Sequence, residues 1–383
     1  MMNRNKGDSV KKIGISLLVI GIIAGSSILF IFMYERGLST KYRTAVELYE
    51  KGEQEQALPL FEKLANRKLL NDYNEESFYY LALIQQNLSP NEANLLWAKI
   101  LETSGLAGQR AQALFYLAKN DYDNENYADA GKQFNQVIKE YPEIKEPYFK
   151  SMYYIGELEY KKGLNNYLTA RKIFEDIINS DSGELVLNMA KARLGEINMK
   201  LLFSPVQTPE SEMYVVNPGD SLAVIANRFN TTIELIKRSN NLTSNFIRPG
   251  DRLKVPKLEY KLLISKKTNT LRIIVNGSFF KEYLVGTGKY NKTPVGIFKV
   301  TNKLKEPVWY HPEGGVIPYG DPDNLLGTRW MGINFPGYGI HGTWDEDSVG
   351  KQSSAGCVRL VNSDVEELFL IITENTEVEI TEQ

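Results

Sequence analysis

The sequence predicts a multidomain chain: an N-terminal transmembrane helix, an all-α region of helical repeats, a small βααβ module and a mainly-β sandwich at the far end. Three observations point there. Ile13 to Tyr34 is a run of 22 residues without a charge. Residues 41 to 202 place apolar side chains at helical spacing, with few glycines and almost no strand pattern. From Met213 onward, short alternating runs are punctuated by Gly, Asn and Pro, as strands joined by tight turns are.

As a helix the uncharged run would be about 33 Å long, against a hydrocarbon core of about 30 Å. Arg4, Lys6, Lys11 and Lys12 precede it, so the excess of positive charge places residues 1–12 in the cytoplasm as a short tail, 13–34 across the membrane and everything after Tyr34 outside. Arg36, Lys41 and Arg43 follow the run and oppose that orientation weakly. A cleaved signal peptide is the alternative, but the run exceeds the roughly 7 to 15 apolar residues of such a segment and no small-x-small site follows it. A length of 383 residues with 43% apolar side chains allows two to four domains with proper cores. The net charge of -2 gives no basis for nucleic-acid binding, and a single cysteine excludes an internal disulfide.

Within 41–202 a weak repeat is visible. Ala57 and Phe61, Ala93 and Trp97, Ala130 and Phe134, and Ala170 and Phe174 are Ala-x-x-x-aromatic pairs. On a helix the two share a face, so the small residue admits a neighbouring helix and the aromatic fills the gap beside it. The pairs, with Tyr127, Tyr167 and Tyr141-Pro142, resemble tetratricopeptide repeats, which implies a scaffold able to recruit protein partners. A generic helical bundle would use the same aromatics as core.

Residues 203–212, with Ser204, Pro205, Thr208 and Pro209, read as a linker. A compact unit, 213–257, follows: a strand at Tyr214-Val215-Val216, a turn at Asn217-Pro218-Gly219-Asp220, a helix capped by Ser221, a second helix, and a strand from Arg252 to Val255. This unit resembles the LysM module down to Arg248-Pro249-Gly250-Asp251. The resemblance implies binding of N-acetylglucosamine-containing glycans in a groove that Gly219, Asp220, Ser221, Asn241 and Leu242 would line.

The last part, 259–383, contains the only cysteine, Cys357, and one of two histidines, His341. A thiolate is the nucleophile in cysteine chemistry, and an adjacent imidazole can depress the thiol pKa and shuttle protons. Glycines at 342 and 356 let the backbone approach a substrate closely, and their amides are candidates for an oxyanion hole. A strand pattern at Leu271 to Val275, an Asn276-Gly277 hairpin, a capping box at Ser363 to Glu366 and a last strand near Val378 argue an antiparallel sandwich. Two histidines and one cysteine leave no recognisable metal-ligand spacing.

His341-Gly342-Thr343 followed by Ser354-Ala355-Gly356-Cys357-Val358-Arg359 resembles the catalytic pattern of the L,D-transpeptidase (YkuD-type) family, and the likeness extends upstream through Gly286-Thr287-Gly288 and Lys292-Thr293-Pro294-Val295-Gly296. The resemblance implies that Cys357 attacks a stem tetrapeptide of peptidoglycan before its terminal D-alanine. His341 would serve as base and then acid, with its far nitrogen oriented by the Gly342 carbonyl, and no cofactor would be needed. Ser354 and Gly356 would shape the substrate pocket, with Trp330 and Tyr338 as walls or as core aromatics. Arg359 is either a guanidinium fork for a substrate carboxylate or a structural ion pair. Many members carry a second histidine where this chain has Ala355, and His311 stands in an earlier loop. The expected protein is a membrane-anchored cell-wall transpeptidase. The alternatives are an L,D-carboxypeptidase, a wall-attaching acyltransferase and a catalytically weak peptidoglycan-binding scaffold.

Overall fold

The structure, a computed structural model, describes residues 5–66, 73–311 and 314–382, with side chains from residue 24 on. The chain divides into two compact units, one up to Tyr154 and one from Ile155. The expected tail 1–12 and the first half of the expected span 13–34 lie outside the described side chains. Among the described residues no helix is long and apolar enough to cross a membrane.

The first unit runs through α1 (Asn5–Glu50), α2 (Gln54–Ala65), α3 (Asn74–Leu88), α4 (Pro90–Thr103), α5 (Ala107–Asp123), α6 (Tyr127–Glu140) and the start of α7 (Lys145–Lys161). Ala57 and Phe61, Ala93 and Trp97, and Ala130 and Phe134 are each fully buried, as the shared helix face requires. Each aromatic then meets a tyrosine of a following helix, Phe61 on Tyr80, Trp97 on Tyr116 and Phe134 on Tyr154, with stacked rings 4.7–5.1 Å apart. Burying each such side chain contributes roughly 1.5–3 kcal/mol, and the recurring contact makes the helices successive copies of one packing unit.

The second unit continues from α7 through α8 (Tyr167–Ile178) and α9 (Glu184–Leu202). The fourth pair, Ala170 and Phe174, is buried here too. Its ring lies against Gly156 of α7, where a Cβ would fall 2.7 Å from Phe174 Cζ. Next come β1 (Ser211–Val215), α10 (Leu222–Arg228), α11 (Ile233–Ser239) and β2 (Arg252–Pro256), with β1 and β2 antiparallel. Val216, Leu222, Ile225, Ala226, Ile236, Leu253 and Val255 form its core. Ser221 caps α10 by accepting from Val224 N, and Thr232 caps α11 by accepting from Leu235 N.

The remaining elements are β3 (Tyr260–Ser265), β4 (Thr270–Val275), β5 (Ser278–Leu284), β6 (Thr287–Gly288), β7 (Gly296–Lys305), β8 (Trp309–Tyr310), β9 (Val316–Ile317), β10 (Arg329–Ile333), β11 (Gly339–His341), β12 (Gln352–Ser354), β13 (Val358–Arg359), α12 (Asn362–Ile371) and β14 (Glu377–Thr381). Among the described residues eight strands form one sheet in the order β13-β11-β10-β7-β14-β3-β4-β5. The sheet is mixed rather than antiparallel throughout. After crossing over as α12, the chain returns as β14 parallel to β3, and β13 runs parallel to β11. The capping box expected at Ser363 does not form. The helix begins at Asn362, after Val361, without a side-chain cap, and the Asn362 Oδ1 accepts instead from Thr328 N at 3.0 Å.

Alternation along these strands sorts core from site. Val378, Leu262 and Ile273 stand side by side across three strands, as do Ile380, Ile264 and Leu271, and all are buried. At the other end of the sheet Met331, Ile340 and Val358 form a buried row. Their immediate neighbours Trp330, His341 and Arg359 therefore stand in register on the opposite face.

The edge strand β5 is covered by α9, which the sequence assigned to the helical repeats. Asn198 Nδ2 donates to Phe280 O at 2.9 Å, and Met199 and Leu202 join the core of the sheet. Periodicity identifies an apolar face but not what meets it, and an uncovered edge would leave unpaired backbone groups. Residues 203–212 are held on both sides. Ser204 and Thr208 are buried, and Glu210 pairs with Arg171. Lys254 of β2, itself buried, donates to the carbonyls of Leu201 and Ser204 at 2.7 and 2.8 Å. A cation at the C-terminus of α9 satisfies carbonyls that the helix leaves unpaired and complements its dipole. Thr232 Oγ1 donates to Leu370 O at 2.7 Å, so the βααβ unit also contacts α12.

Candidate active site

His341 ends β11, and Cys357 stands just before β13, whose Arg359 is the register partner of His341. Cys357 precedes Arg359 by two residues, so strand alternation turns thiol, imidazole and guanidinium to one side of the sheet. The imidazole is 3% exposed, whereas the thiol is half-buried and reachable. Trp330 stacks over His341, ring centroids 5.8 Å apart, and the close approach requires Gly339, where a Cβ would lie 2.7 Å from the Trp330 ring.

The imidazole has a defined orientation. His341 Nδ1 lies 2.6 Å from Gly342 O. A carbonyl only accepts, so in the neutral ring the proton is on Nδ1 and the lone pair on Nε2. Gly342 is itself confined, because a Cβ there would lie 2.3 Å from Asn362 Oδ1.

Burial pushes the His341 pKa down to about 4, with the charge of Arg359 acting in the same direction and the carbonyls of Gly342 and Leu326 against it. Burial also raises the Cys357 thiol, opposed by the Gly339 N–H and by Arg359. Near neutral pH the sulfur is thus a thiol, which donates to Gly337 O at 3.6 Å, and the imidazole is neutral. From the sequence, an adjacent imidazole is expected to depress the thiol pKa, but in this site desolvation leads for both groups. With both groups neutral, the resting site holds no standing thiolate–imidazolium pair.

The loop that presents Cys357 is tied internally. Ser354, 2% exposed, accepts from Gly356 N at 3.0 Å and donates to Cys357 O at 2.7 Å. Both expected oxyanion donors are therefore engaged elsewhere: Gly356 N–H by Ser354, and Gly342 N–H by Arg329 O at 3.1 Å. Ser354 shapes the loop and not a pocket wall. Gly356 has φ +144°, and a Cβ there would lie 2.6 Å from the Tyr338 ring, so Tyr338 backs the loop while packing on the core and on Phe335. Thr293, absent from the residues singled out by sequence, bonds both Gly288 and Gly356. Its place in the motif upstream of β7 was the available signal.

Arg359 forms no ion pair among the described residues, and its buried Nε has no hydrogen-bond partner. Ala355 is exposed and takes no side-chain part in the loop. His311 packs edge-on against Trp309, 4.9 Å between centroids, beside the β8–β9 hairpin. Among the described residues no group of three or more His, Cys, Asp or Glu could hold a metal.

In the βααβ module, Gly219 takes φ +90° and Asn241 φ +54°. Asp220 Oδ2 accepts from Tyr214 OH at 2.6 Å and from Asn217 N at 2.8 Å, bonds that hold its pKa below the usual carboxylate range. Ser221 caps α10, Leu242 packs on the core, and Asn241 is exposed. Of these five residues, Asn241 alone presents a side chain not already engaged in the module's own turns, caps or core.

The sheet thus carries a half-buried thiol and, on the neighbouring strand, a buried imidazole oriented by the Gly342 carbonyl. Residues 259–380 match the L,D-transpeptidase catalytic domain, YkuD; residues 214–256 match the LysM domain, and 112–143 a tetratricopeptide repeat. YqjB of Bacillus subtilis strain 168, named as an L,D-transpeptidase, is 42% identical over 127 residues, covering 32% of this chain and 70% of that protein. YkuD of Bacillus licheniformis, also so named, is 32% identical over 177 residues, 44% of this chain and 98% of that protein. The N-acetylmuramoyl-L-alanine amidase sle1 of Staphylococcus epidermidis is 51% identical over 43 residues, 11% of this chain and 13% of that protein. The chain belongs to the YkuD-type L,D-transpeptidase family, and it is an enzyme that joins this catalytic domain to a LysM module and a tetratricopeptide-like region.

Proposed function

We propose that the protein is a membrane-anchored L,D-transpeptidase that cross-links peptidoglycan through an acyl-enzyme on Cys357. The observation that carries this reading is the His341 Nδ1 to Gly342 O bond, which fixes the tautomer of the neutral ring with its lone pair on Nε2, on the strand whose register partner follows Cys357 by two residues. The sulfur attacks the carbonyl before the terminal D-alanine of a stem tetrapeptide. The S–C bond forms, the C–N bond breaks, and the thiol proton passes through Nε2 to the leaving amine. An amine of a neighbouring stem then attacks the thioester, gives its proton to His341 and restores the thiol. The unpaired guanidinium of Arg359 supports the reading in which it holds a substrate carboxylate.

LysM binds the glycan strand, with Asn241 as its available side chain, and the repeats recruit protein partners of wall synthesis. Residues 13–34 anchor the chain with its N-terminus in the cytoplasm and its catalytic and LysM domains in the wall space. In support, the large side chains from Ile28 to Met33 are all exposed on α1, covering every side of the helix. A helix apolar all round calls for an apolar surrounding.

Muropeptides from cells overproducing the protein test the reaction. New cross-links between diamino acids, absent with Cys357→Ala, are expected. Tripeptides without such cross-links would instead make the enzyme an L,D-carboxypeptidase.

A further inference from the structure

We propose that Thr293 is a positioning residue for this reaction: its hydroxyl fixes the Gly356 carbonyl so that the next N–H, that of Cys357 itself, faces the oxygen of the reacting carbonyl. This rests on the acyl-enzyme reading of Cys357. Thr293 is 1% exposed, and its Oγ1 donates to Gly356 O at 2.8 Å while accepting from Gly288 N at 2.7 Å. A hydroxyl has one proton to give, so the two bonds set its direction.

Peptide planarity carries that direction to the nucleophile. In a trans peptide the N–H points opposite to the preceding C=O, and no described peptide bond is cis. Holding the Gly356 carbonyl inward on Thr293 therefore turns the Cys357 N–H to the other side of the loop. It is the donor left for the role, because the amides of Gly342 and Gly356 are bonded elsewhere. The loop can present that amide because glycine at 356 adopts φ +144° without the clash a Cβ would bring.

The contact is also close. A Cβ on Gly288 would lie 2.9 Å from Gly356 Cα and 2.7 Å from Thr293 N, so glycine at 288 brings the two segments together. Sixty-three residues separate Thr293 from Gly356, and the hydroxyl is thus a long-range brace from the turn before β7.

Two reactions of the same sulfur separate positioning from general support. Acylation by a carbapenem opens a β-lactam carbonyl and develops an oxyanion: the S–C bond forms, the ring C–N bond breaks, and the thiol proton ends on the ring nitrogen. Alkylation by iodoacetamide displaces iodide at a tetrahedral carbon and needs no oxyanion donor. In the full chain, Thr293→Val should slow carbapenem acylation by about 10- to 100-fold while alkylation stays within about twofold, and Thr293→Ser should restore acylation to within about threefold. Acylation of Thr293→Val at the parent rate would overturn the proposal. So would equal loss of both reactions, or a serine variant as slow as the valine one. If the parent forms no adduct although its thiol alkylates, the acyl-enzyme reading itself fails, and the proposal with it.

Discussion

His341→Gln is expected to lower acyl transfer by about 10²- to 10⁴-fold, the usual contribution of a positioned general base. The amide keeps much of the imidazole's volume beneath Trp330 but offers no lone pair on nitrogen. The pH profile distinguishes this from mere disruption. Because burial puts the imidazole near pKa 4, the base is already free well below neutrality. Activity of the parent should persist to about pH 5, instead of falling through the ordinary histidine range near 6.5.

The same shift has a consequence for stability, with a definite sign. The folded site refuses a proton that the unfolded chain accepts, so between about pH 6.5 and 4 stability falls as pH falls, by about 3 kcal/mol in total, and this group adds nothing further below that window. Denaturant midpoints of the parent should therefore decline over this interval, and His341→Gln should flatten the decline. A profile with its acid limb at 6.5, or an unchanged slope in the variant, would contradict the buried neutral imidazole.

Gly356→Ala is expected to cost about 10²-fold in acylation, although it adds a single methyl group. That methyl would lie 2.6 Å from Tyr338 Cε1, on a backbone at φ +144°. Strain of about 1–3 kcal/mol must be relieved by moving either the ring or the loop, and small displacements of a nucleophile are costly. Ala355→Ser, one residue earlier and exposed, serves as the control and should acylate at the parent rate. Equal rates for Gly356→Ala and the control would show that the loop tolerates the methyl group.

Much of the site was legible because its chemistry is concentrated in rare residues. A chain with one cysteine and two histidines that places His341 before Gly342-Thr343 and Cys357 between Gly356 and Val358 has few other ways to use them. The Ala-x-x-x-aromatic pairs were legible for a different reason, since helical spacing alone puts both members on one face. What stayed hidden depends on contacts distant in sequence. Nothing local to Asn198 tells that it will pair with Phe280 across 82 residues, or that Lys254 will meet the end of α9. The parallel entry of β14 beside β3 follows from where α12 packs, which strand periodicity does not record. The protonation of the site is hidden in the sequence for a related reason. A neighbouring imidazole lowers a thiol pKa only when it is charged, and burial of His341 prevents that.

Intact mass of the full chain after incubation with a carbapenem, beside a Cys357→Ala variant, tests the assignment of the nucleophile most directly. A single adduct of the drug's mass is expected on the parent and none on the variant. An adduct that survives Cys357→Ala, or a parent that stays unmodified while its thiol still alkylates, would contradict Cys357 as the residue that carries the acyl group.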